Sequence, residues 1–396
     1  MATKVLDLAI EDLPVEIGEL EAYTKALILY RYRGLPVGKA ELPVVNGRLN
    51  TTELTDAILN EQSRPLWEQT LRERMGLDDR APIAGLPKAT VAVCTRDRPD
   101  DIRRCLEGFM QMPDGGQEFL VIDNCPSTDA TQKIVAEFGE RVRYVREDRP
   151  GLNIARNRAL REAKHEIIAF NDDDAVPDPN WLRALLQNFT DPDVLCVTGL
   201  TMPLELETKA QEWFERYSPF GRGFSRVLHY GSPQAALGAG RVGAGANMAL
   251  RRDVLQKIGP FDEALDAGTP TLSGGDTEMF ARIMLRGFHI VYDPAALSWH
   301  RHRKTWDALR RAAYGYGVGT YAFWTRMLLK ERKPGVLQAA WWYLRHYQLP
   351  LFWKALRRYP EAVPLDIVMA ELRGCLRGTK AYLTASRQLH SSGGMP

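Results

Sequence analysis

From Ala89 onward the apolar positions fall into short continuous runs separated by longer amphipathic stretches. TVAVCT (90–95), EFLVIDN (118–124), RVRYVRE (141–147) and EIIAFNDDD (166–174) have the length and β-branched or aromatic content of strands. DDIRRCLEGFMQM (100–112), STDATQKIVAEFG (127–139) and LNIARNRALREAK (152–164) read as helices between them, with Ser127 or Thr128 as N-cap of the second. Strands that alternate with helices predict a largely parallel sheet covered on both faces. Ligands in such sheets bind beyond the carboxyl ends of the strands. Polar clusters stand at three of those ends: Thr95-Arg96-Asp97-Arg98, Asp123-Asn124 and Asp172-Asp173-Asp174.

The flanking regions read differently. Before residue 88 the pattern predicts a hairpin, ALILYRYRG followed by a turn at LPVG and then KAELPVV, with a second turn at Asn46-Gly47. A helical spacing runs from about Thr52 to Met75, and DDRAPIAGLPK (78–88) reads as a linker. Further on, Met248 to Leu250 reads as a strand after Gly243 and Gly245, and Asp276 opens the helix TEMFARIML. His300 and His302 end the last strand. The expected organisation is an α+β accessory region (1–88), an α/β domain (89–303) and a helical C-terminal region (304–396).

Composition bounds the function. With 45% apolar and 26% charged residues over 396 positions, the chain is an ordinary globular protein with a sizeable core. Its 5 cysteines are scattered without a CxxC pair, which argues against a zinc ribbon or disulfide framework and for a reducing compartment. Acidic residues near the N-terminus argue against a signal peptide, and no run reaches the roughly 18 apolar residues of a membrane span. The net charge of +2 conceals an asymmetry: residues 301–396 hold 17 Lys and Arg against 5 Asp and Glu. A basic tail on an acidic body points to an anionic partner such as a membrane surface or a phosphorylated substrate. Between 301 and 360 stand 13 aromatic residues interleaved with Arg and Lys, and the stretch ALRRAAYGYGVGTYAFWTRMLLKERK among them suits either a membrane interface or helix packing. No nucleic-acid-binding module is recognisable.

The acidic triplet is the sharpest chemical signal. Carboxylates spaced i, i+2 can place oxygens around one divalent cation, whose charge removes their repulsion; an Asp-rich turn is the plain alternative. Asp276 at a helix start is by itself a cap, and a lone His300 or His302 is by itself structural. The order of the motifs changes this reading. CTRDRP, VIDNCPSTD, RPGLNIARN, FNDDDAVPDPNWL, GAGANMALRR, IGPFDEAL, GGDTEMFARI and WHRHR occur in that sequence between Thr90 and Arg303, and together they resemble glycosyltransferase family 2, the inverting nucleotide-sugar transferases of the GT-A fold.

The resemblance implies a Rossmann-like, mostly parallel mixed sheet flanked by helices. It implies that Thr95, Arg96, Arg98 and Asp123 hold base and ribose, with Asn153 and Arg156 near the nucleotide and its phosphates. Asp172 and Asp174 match the DxD motif, Asp172 toward ribose or sugar and both toward a Mn2+ or Mg2+ ion, with His300 or His302 as a further ligand. Asp276 matches the general base, with Gly275, Glu278 and Trp299 on the acceptor side; Gly275 departs from the Glu that many relatives carry, which leaves Glu278 as a rival base. The implied activity is transfer of a sugar from a UDP- or dTDP-type donor to a hydroxyl of a saccharide, glycolipid or protein. The expected place is the cytoplasm, at the inner face of a membrane. Two rivals stand beside this reading: a nucleotidyltransferase, and a silent sugar-nucleotide-binding or partner-binding protein. CTRDRPDD does not form the Gly-rich triphosphate loop that the first requires, and the retained DxD and Asp276 argue against the second.

Overall fold

The computed structural model describes residues 2–60, 63–77 and 85–392. The chain opens with β1 (Ala2–Ala9), β2 (Glu16–Ile17), β3 (Tyr23–Tyr32), β4 (Leu35–Pro43), β5 (Leu49–Asn50), α1 (Thr51–Asn60) and α2 (Ser63–Arg74). β1 joins β3 in parallel and β4 completes the expected hairpin, giving the order β1-β3-β4. Its turn falls at Arg33-Gly34 (φ +50° and +78°), and LPVG is already strand, with Gly38 opposite Tyr30. A two-residue turn with both φ positive matches the twist of the strands it joins, and Gly34 accepts that conformation where Pro36 cannot. Asn46-Gly47 forms its turn as expected, at φ +54° and +71°. The helical stretch 52–75 is two helices, and residues 78–84 of the expected linker lie outside the described residues.

The α/β region follows as β6 (Ala89–Thr95), α3 (Pro99–Met110), β7 (Glu118–Asn124), α4 (Ala130–Ala136), β8 (Val142–Glu147), α5 (Leu152–Glu162) and β9 (Ile167–Asn171). It continues through β10 (Ala175–Pro177), α6 (Trp181–Leu186), β11 (Val194–Pro203), α7 (Lys209–Tyr217), β12 (Val227–His229) and α8 (Pro233–Ala236). β13 (Asn247–Arg251), α9 (Val254–Lys257), α10 (Gly275–Leu285) and β14 (His289–His300) complete it. The strands form one sheet in the order β10-β14-β11-β13-β9-β6-β7-β8, with β12 added against β14. All but β10, β12 and β13 run the same way, so the mostly parallel mixed sheet is as expected. The α4 N-cap is Asp129 instead of Ser127 or Thr128, because the Ser127 amide and hydroxyl are both committed to Asp97 at 2.8 Å.

Both sheet faces are covered. Ala92, Leu120, Ile168 and Phe170 pack toward α5 and α10, while Val91, Val121, Ile167 and Ala169 pack toward α3 and α6. Burial on both faces explains why these strands read as unbroken apolar runs. The N-terminal sheet docks through Leu27 and Leu29 onto Leu200, Met202 and Leu297. Arg31 pairs with Asp178 at 2.7 Å and Lys39 with Glu215 at 2.6 Å across the same seam.

After β14 come α11 (Trp306–Leu329), α12 (Gly335–Tyr343), a π-helical turn (Leu344–Gln348), α13 (Leu349–Leu356) and α14 (Leu365–Ser392). α11 and α14 approach closely because glycines line their contact: a Cβ on Gly317 would collide with the Glu371 carbonyl, and one on Gly374 with that of Tyr314. Ala313, Val318, Ala322, Phe323 and Met327 of α11 are buried. The aromatic segment singled out for a membrane interface is therefore largely interior, since periodicity alone does not say which partner an apolar face meets. Among the described residues no helix is long and apolar enough to cross a membrane.

Candidate active site

The polar strand ends converge. Thr95 ends β6, Asp123 lies near the end of β7, and the triplet follows β9, tied in place by the Asp172 N–H donating to the Ala246 carbonyl at 3.3 Å. His300 ends β14 and reaches the same point from the other side of the sheet. Carboxylate oxygens of Asp172 and Asp174 and a ring nitrogen of His300 all lie within 4.8 Å of one another.

The three aspartates have distinct environments. Asp174 is buried against His300 (Nε2 to Oδ1, 3.1 Å), Arg98 (2.8 Å) and Arg303 (3.2 Å). Burial alone raises a carboxyl pKa, but His300, Arg303 and Arg98 outweigh it and hold Asp174 well below the usual range. Asp173 does not turn away as strand alternation suggests, because the chain leaves the sheet at Asn171. It accepts from Thr95 Oγ1 at 2.7 Å and Arg98 Nη1 at 2.9 Å, and burial beside Asp174 pushes it up to about 7. Asp172 is raised by burial and by Asp174, with Arg156 opposing. Among the described residues none donates a hydrogen bond to its carboxylate.

Behind His300 runs a chain of contacts. Its Nδ1 lies 3.0 Å from Nδ1 of His302, whose Nε2 lies 3.1 Å from Glu215, and Glu215 takes the ammonium of Lys39 at 2.6 Å. Burial lowers His302, so its ring is neutral. Burial opposes ionisation of Glu215, yet His302 and Lys39 hold its pKa below the ordinary value. A carboxylate only accepts, so His302 carries its proton on Nε2 and accepts at Nδ1. His300 then donates from Nδ1, and its Nε2 faces Asp174. Two lone pairs 3.1 Å apart need a positive species between them, a proton or a metal ion. Hard oxygens with one imidazole, and an Asp172 carboxylate without a donor, fit Mn2+ or Mg2+. Both ring nitrogens of His302 are engaged, by His300 and Glu215, so it stands behind His300 and outside the Asp172–Asp174–His300 group.

Asp276 lies in the first turn of α10, half-buried. Its Oδ2 accepts from the Gly245 N–H at 2.7 Å and its Oδ1 from the Thr277 N–H at 2.6 Å. Gly245 is needed there, since an added Cβ would stand 2.8 Å from Asp276 Cβ and 2.9 Å from Arg156 Nη2. The buried Arg156 therefore links the two halves: it pairs with Asp266 at 2.9 Å and feels the charges of Asp172 and Asp276. Asn153 accepts from Arg156 at 3.3 Å and donates to the Asp262 carbonyl, which holds the guanidinium in place. The turn before Asp276 rests on α11, where Ser273 Oγ donates to the Gly315 carbonyl at 2.9 Å. Tyr316 of α11, its phenol pushed up by burial, stands within electrostatic reach of Arg303, Asp276 and Asp174.

Toward the other end, Asp123 is fully buried; Tyr144 donates to Oδ2 at 2.9 Å, while Oδ1 has no partner. Burial raises its pKa. Arg96 is exposed and meets Asp97 at 3.7 Å.

Three expected acceptor-side residues are placed elsewhere. Glu278 is fully buried, with both oxygens held by Arg282 (2.6 and 2.9 Å) and one by Arg326 (2.8 Å), so it has no face toward a substrate and no claim as base. Gly275 presents backbone to Asn153 and Asp266, where a Cβ would collide. Trp299 alternates away from His300 and packs with Leu27 and Leu29 at the N-terminal seam. A cleft of about 580 Å³ lies between the β3–β4 turn, α2 and the back of the sheet, and is lined by none of the converging residues. Residues missed from sequence are Arg303, Asp266, Gly245's partner role, Tyr316, Glu215 and Lys39. Arg303 and Asp266 stand in or beside quoted motifs, whereas nothing in sequence joins Glu215 to a histidine 87 positions on.

Residues 90–259 match glycosyl transferase family 2. A probable glycosyltransferase of Bacillus subtilis, YdaM, is 24% identical over 267 residues, 62% of this chain and 55% of the relative, so the match spans little more than half of that protein. Glycosyltransferase AglE of Haloferax volcanii is 24% identical over 268 residues, 65% of this chain and 81% of the relative. Among solved structures, the mannosyltransferase PcManGT of Pyrobaculum calidifontis, in complex with GDP-Man and Mn2+, superimposes with a TM-score of 0.51 at 19% identity. It covers 86% of this chain and 90% of that one. The shared architecture is the GT-A fold.

Proposed function

We propose that the chain, whose residues 90–259 match glycosyl transferase family 2, is an inverting transferase moving a sugar from a nucleoside-diphosphate donor to an acceptor hydroxyl. The observation that carries this is the placement of Arg156 and Gly245 between the Asp172–Asp174–His300 cluster and Asp276. A donor-side charge cluster and a separate carboxylate near one guanidinium suit a single displacement.

On the donor side, Asp172, Asp174 and His300 would hold a divalent cation. Such an ion neutralises charge that builds on a departing diphosphate. Arg98, Arg303 and Arg156 add fixed positive charge at the same place. Asp123, with its unpartnered buried Oδ1, offers an acceptor to a ring N–H, as uracil, thymine and guanine present; a UDP or dTDP donor fits it. Thr95 and Arg98 brace Asp173 against Asp174, and the exposed Arg96, beside Asp97, would close over a nucleotide.

On the acceptor side, Asp276 takes the proton of the attacking hydroxyl as the new bond forms. Its two oxygens are fixed by backbone N–H groups, so the side chain does not need to search for its angle. In this reading Asp276 acts as base and not as nucleophile, so the configuration at the anomeric carbon inverts.

The family setting supports a role in building cell-surface polysaccharide, glycolipid or glycoconjugate, at the inner face of a membrane. Residues 1–88 then brace the donor site through Lys39 and Glu215, 89–303 carry the chemistry, and 304–396 buttress Asp276. Product analysis tests the reading. UDP- and dTDP-sugars with Mn2+ should yield nucleoside diphosphate, suppressed by EDTA and restored by Mn2+ or Mg2+; release of pyrophosphate, or of nothing from any nucleotide sugar, contradicts it.

A further inference from the structure

We propose that the helix formed by α12, the π turn and α13, Gly335 to Leu356, is a membrane seat that lays its outer face on an anionic lipid surface. The inner face is fixed: Val336 and Ala355 are buried, Tyr343 packs edge-on to Trp324 at 5.6 Å and donates to Glu371 at 3.2 Å. The outer face is apolar where a water-facing helix is polar. Leu337 (62%), Trp341 (63%), Trp353 (51%) and Leu356 (47%) are exposed, with Leu349 between them. Positions 337, 341, 345, 349, 353 and 356 recur every three or four residues and form one stripe, in which Arg345 is the only charge.

The charge around the stripe selects the occupant. Residues 332–360 contain no Asp or Glu and 6 Lys or Arg. Arg345, Lys354, Arg357 and Arg358 are exposed beside the stripe. A second protein copy would set these cations against each other, whereas a bilayer with anionic headgroups accepts them together with interfacial tryptophans. The helix is too short in apolar length and too firmly docked to span.

The seat adjoins the acceptor side. Arg241 lies over the Trp342 ring at 5.9 Å, and the chain from Arg241 leads within four residues to Gly245, whose N–H holds Asp276. Gly335 likewise packs on Leu237 of the same segment. An acceptor presented to Asp276 from this side is borne by a lipid. That last step rests on the transferase reading; the seat itself does not.

Flotation of the full chain with vesicles tests it. The protein should rise with phosphatidylcholine vesicles containing phosphatidylglycerol, much less with phosphatidylcholine alone, and less as salt is raised. Trp341→Ser combined with Trp353→Ser should reduce partition about tenfold or more, with circular dichroism and cleavage of soluble donor unchanged. Quenching of wild-type tryptophan fluorescence by brominated lipid gives the same answer without a variant. Wild type remaining at the bottom with anionic vesicles overturns the proposal, as does equal flotation of the double variant. A dimer that the double variant dissociates, with no lipid binding, assigns the face to a second copy. Flotation without nucleoside diphosphate release leaves the seat standing and removes only the transferase reading.

Discussion

His300 and His302 face each other Nδ1 to Nδ1 at 3.0 Å, and the carboxylate of Glu215 on the far side of His302 decides which of them donates. The proton order set at Glu215 passes through two rings and leaves His300 Nε2 directed at Asp174. A site three contacts away from the N-terminal sheet is in this way tied to Lys39.

Removing the carboxylate should loosen that order. Glu215→Ala is expected to weaken Mn2+ binding by roughly 10- to 100-fold, the usual effect of losing a group that orients a ligating histidine. Electron paramagnetic resonance of free Mn2+, titrated in the presence of nucleoside diphosphate, measures it. Nitrogen-15 shifts of the imidazoles should show His300 leaving its Nδ1-protonated form. Wild-type affinity and unchanged tautomers in the variant reject the relay.

Gly245 keeps space for the two groups that meet beside it. Gly245→Ala sets a methyl against Asp276 Cβ, which is fixed to the start of α10, and against the mobile end of Arg156. Displacement of a catalytic group by about 1 Å typically costs on the order of 100-fold. The expected result is a fall in kcat of that size with donor affinity changed little, read by calorimetry and steady-state kinetics. A fall confined to donor binding would place Gly245 on the wrong side of the reaction.

How much of this was legible in advance follows the range of the interactions. β6, β7 and β9 announced themselves because burial on both faces makes each strand a continuous apolar run, with polar residues standing at their carboxyl ends. Asp276 and the Asp172–Asp174 pair were singled out through their order along the chain. Glu278 misled because a carboxylate two residues from Asp276 looks equivalent in sequence; on α10 it turns inward to Arg282 and Arg326. Its pairing is a buried one, and breaking such a pair costs about 3–5 kcal/mol, so its conspicuous charge serves stability. Glu215 and Tyr316 were invisible because their partners come from distant elements, α7 meeting the end of β14 and α11 meeting the cleft. The aromatic residues near the C-terminus were legible as a class, but only packing separates the interior of α11 from the open face of α12 and α13.

One buried acid gives a stability test independent of catalysis. Glu371 on α14 accepts from Tyr217 at 2.7 Å and Tyr343 at 3.2 Å, yet burial outweighs these bonds and raises its pKa. A carboxyl raised in the folded state favours folding below its unfolded pKa, and that stability is lost as pH rises through the folded value. Glu371→Gln keeps one acceptor oxygen, meets the other phenol oxygen with an amide N–H, and cannot ionise. Its melting temperature should exceed that of wild type at pH 7 to 8 and converge with it near pH 4. A variant less stable at pH 8 than wild type contradicts the sign.

The most direct measurement is Asp276→Asn under single-turnover conditions with saturating Mn2+ and a donor that wild type uses. The substitution keeps the acceptance from the Gly245 N–H through the amide oxygen and removes the base. The account predicts donor binding within a few fold of wild type by calorimetry and transfer to the acceptor reduced by at least about 1,000-fold, at the strong end of general-base effects. Transfer near the wild-type rate would contradict it and move the base elsewhere.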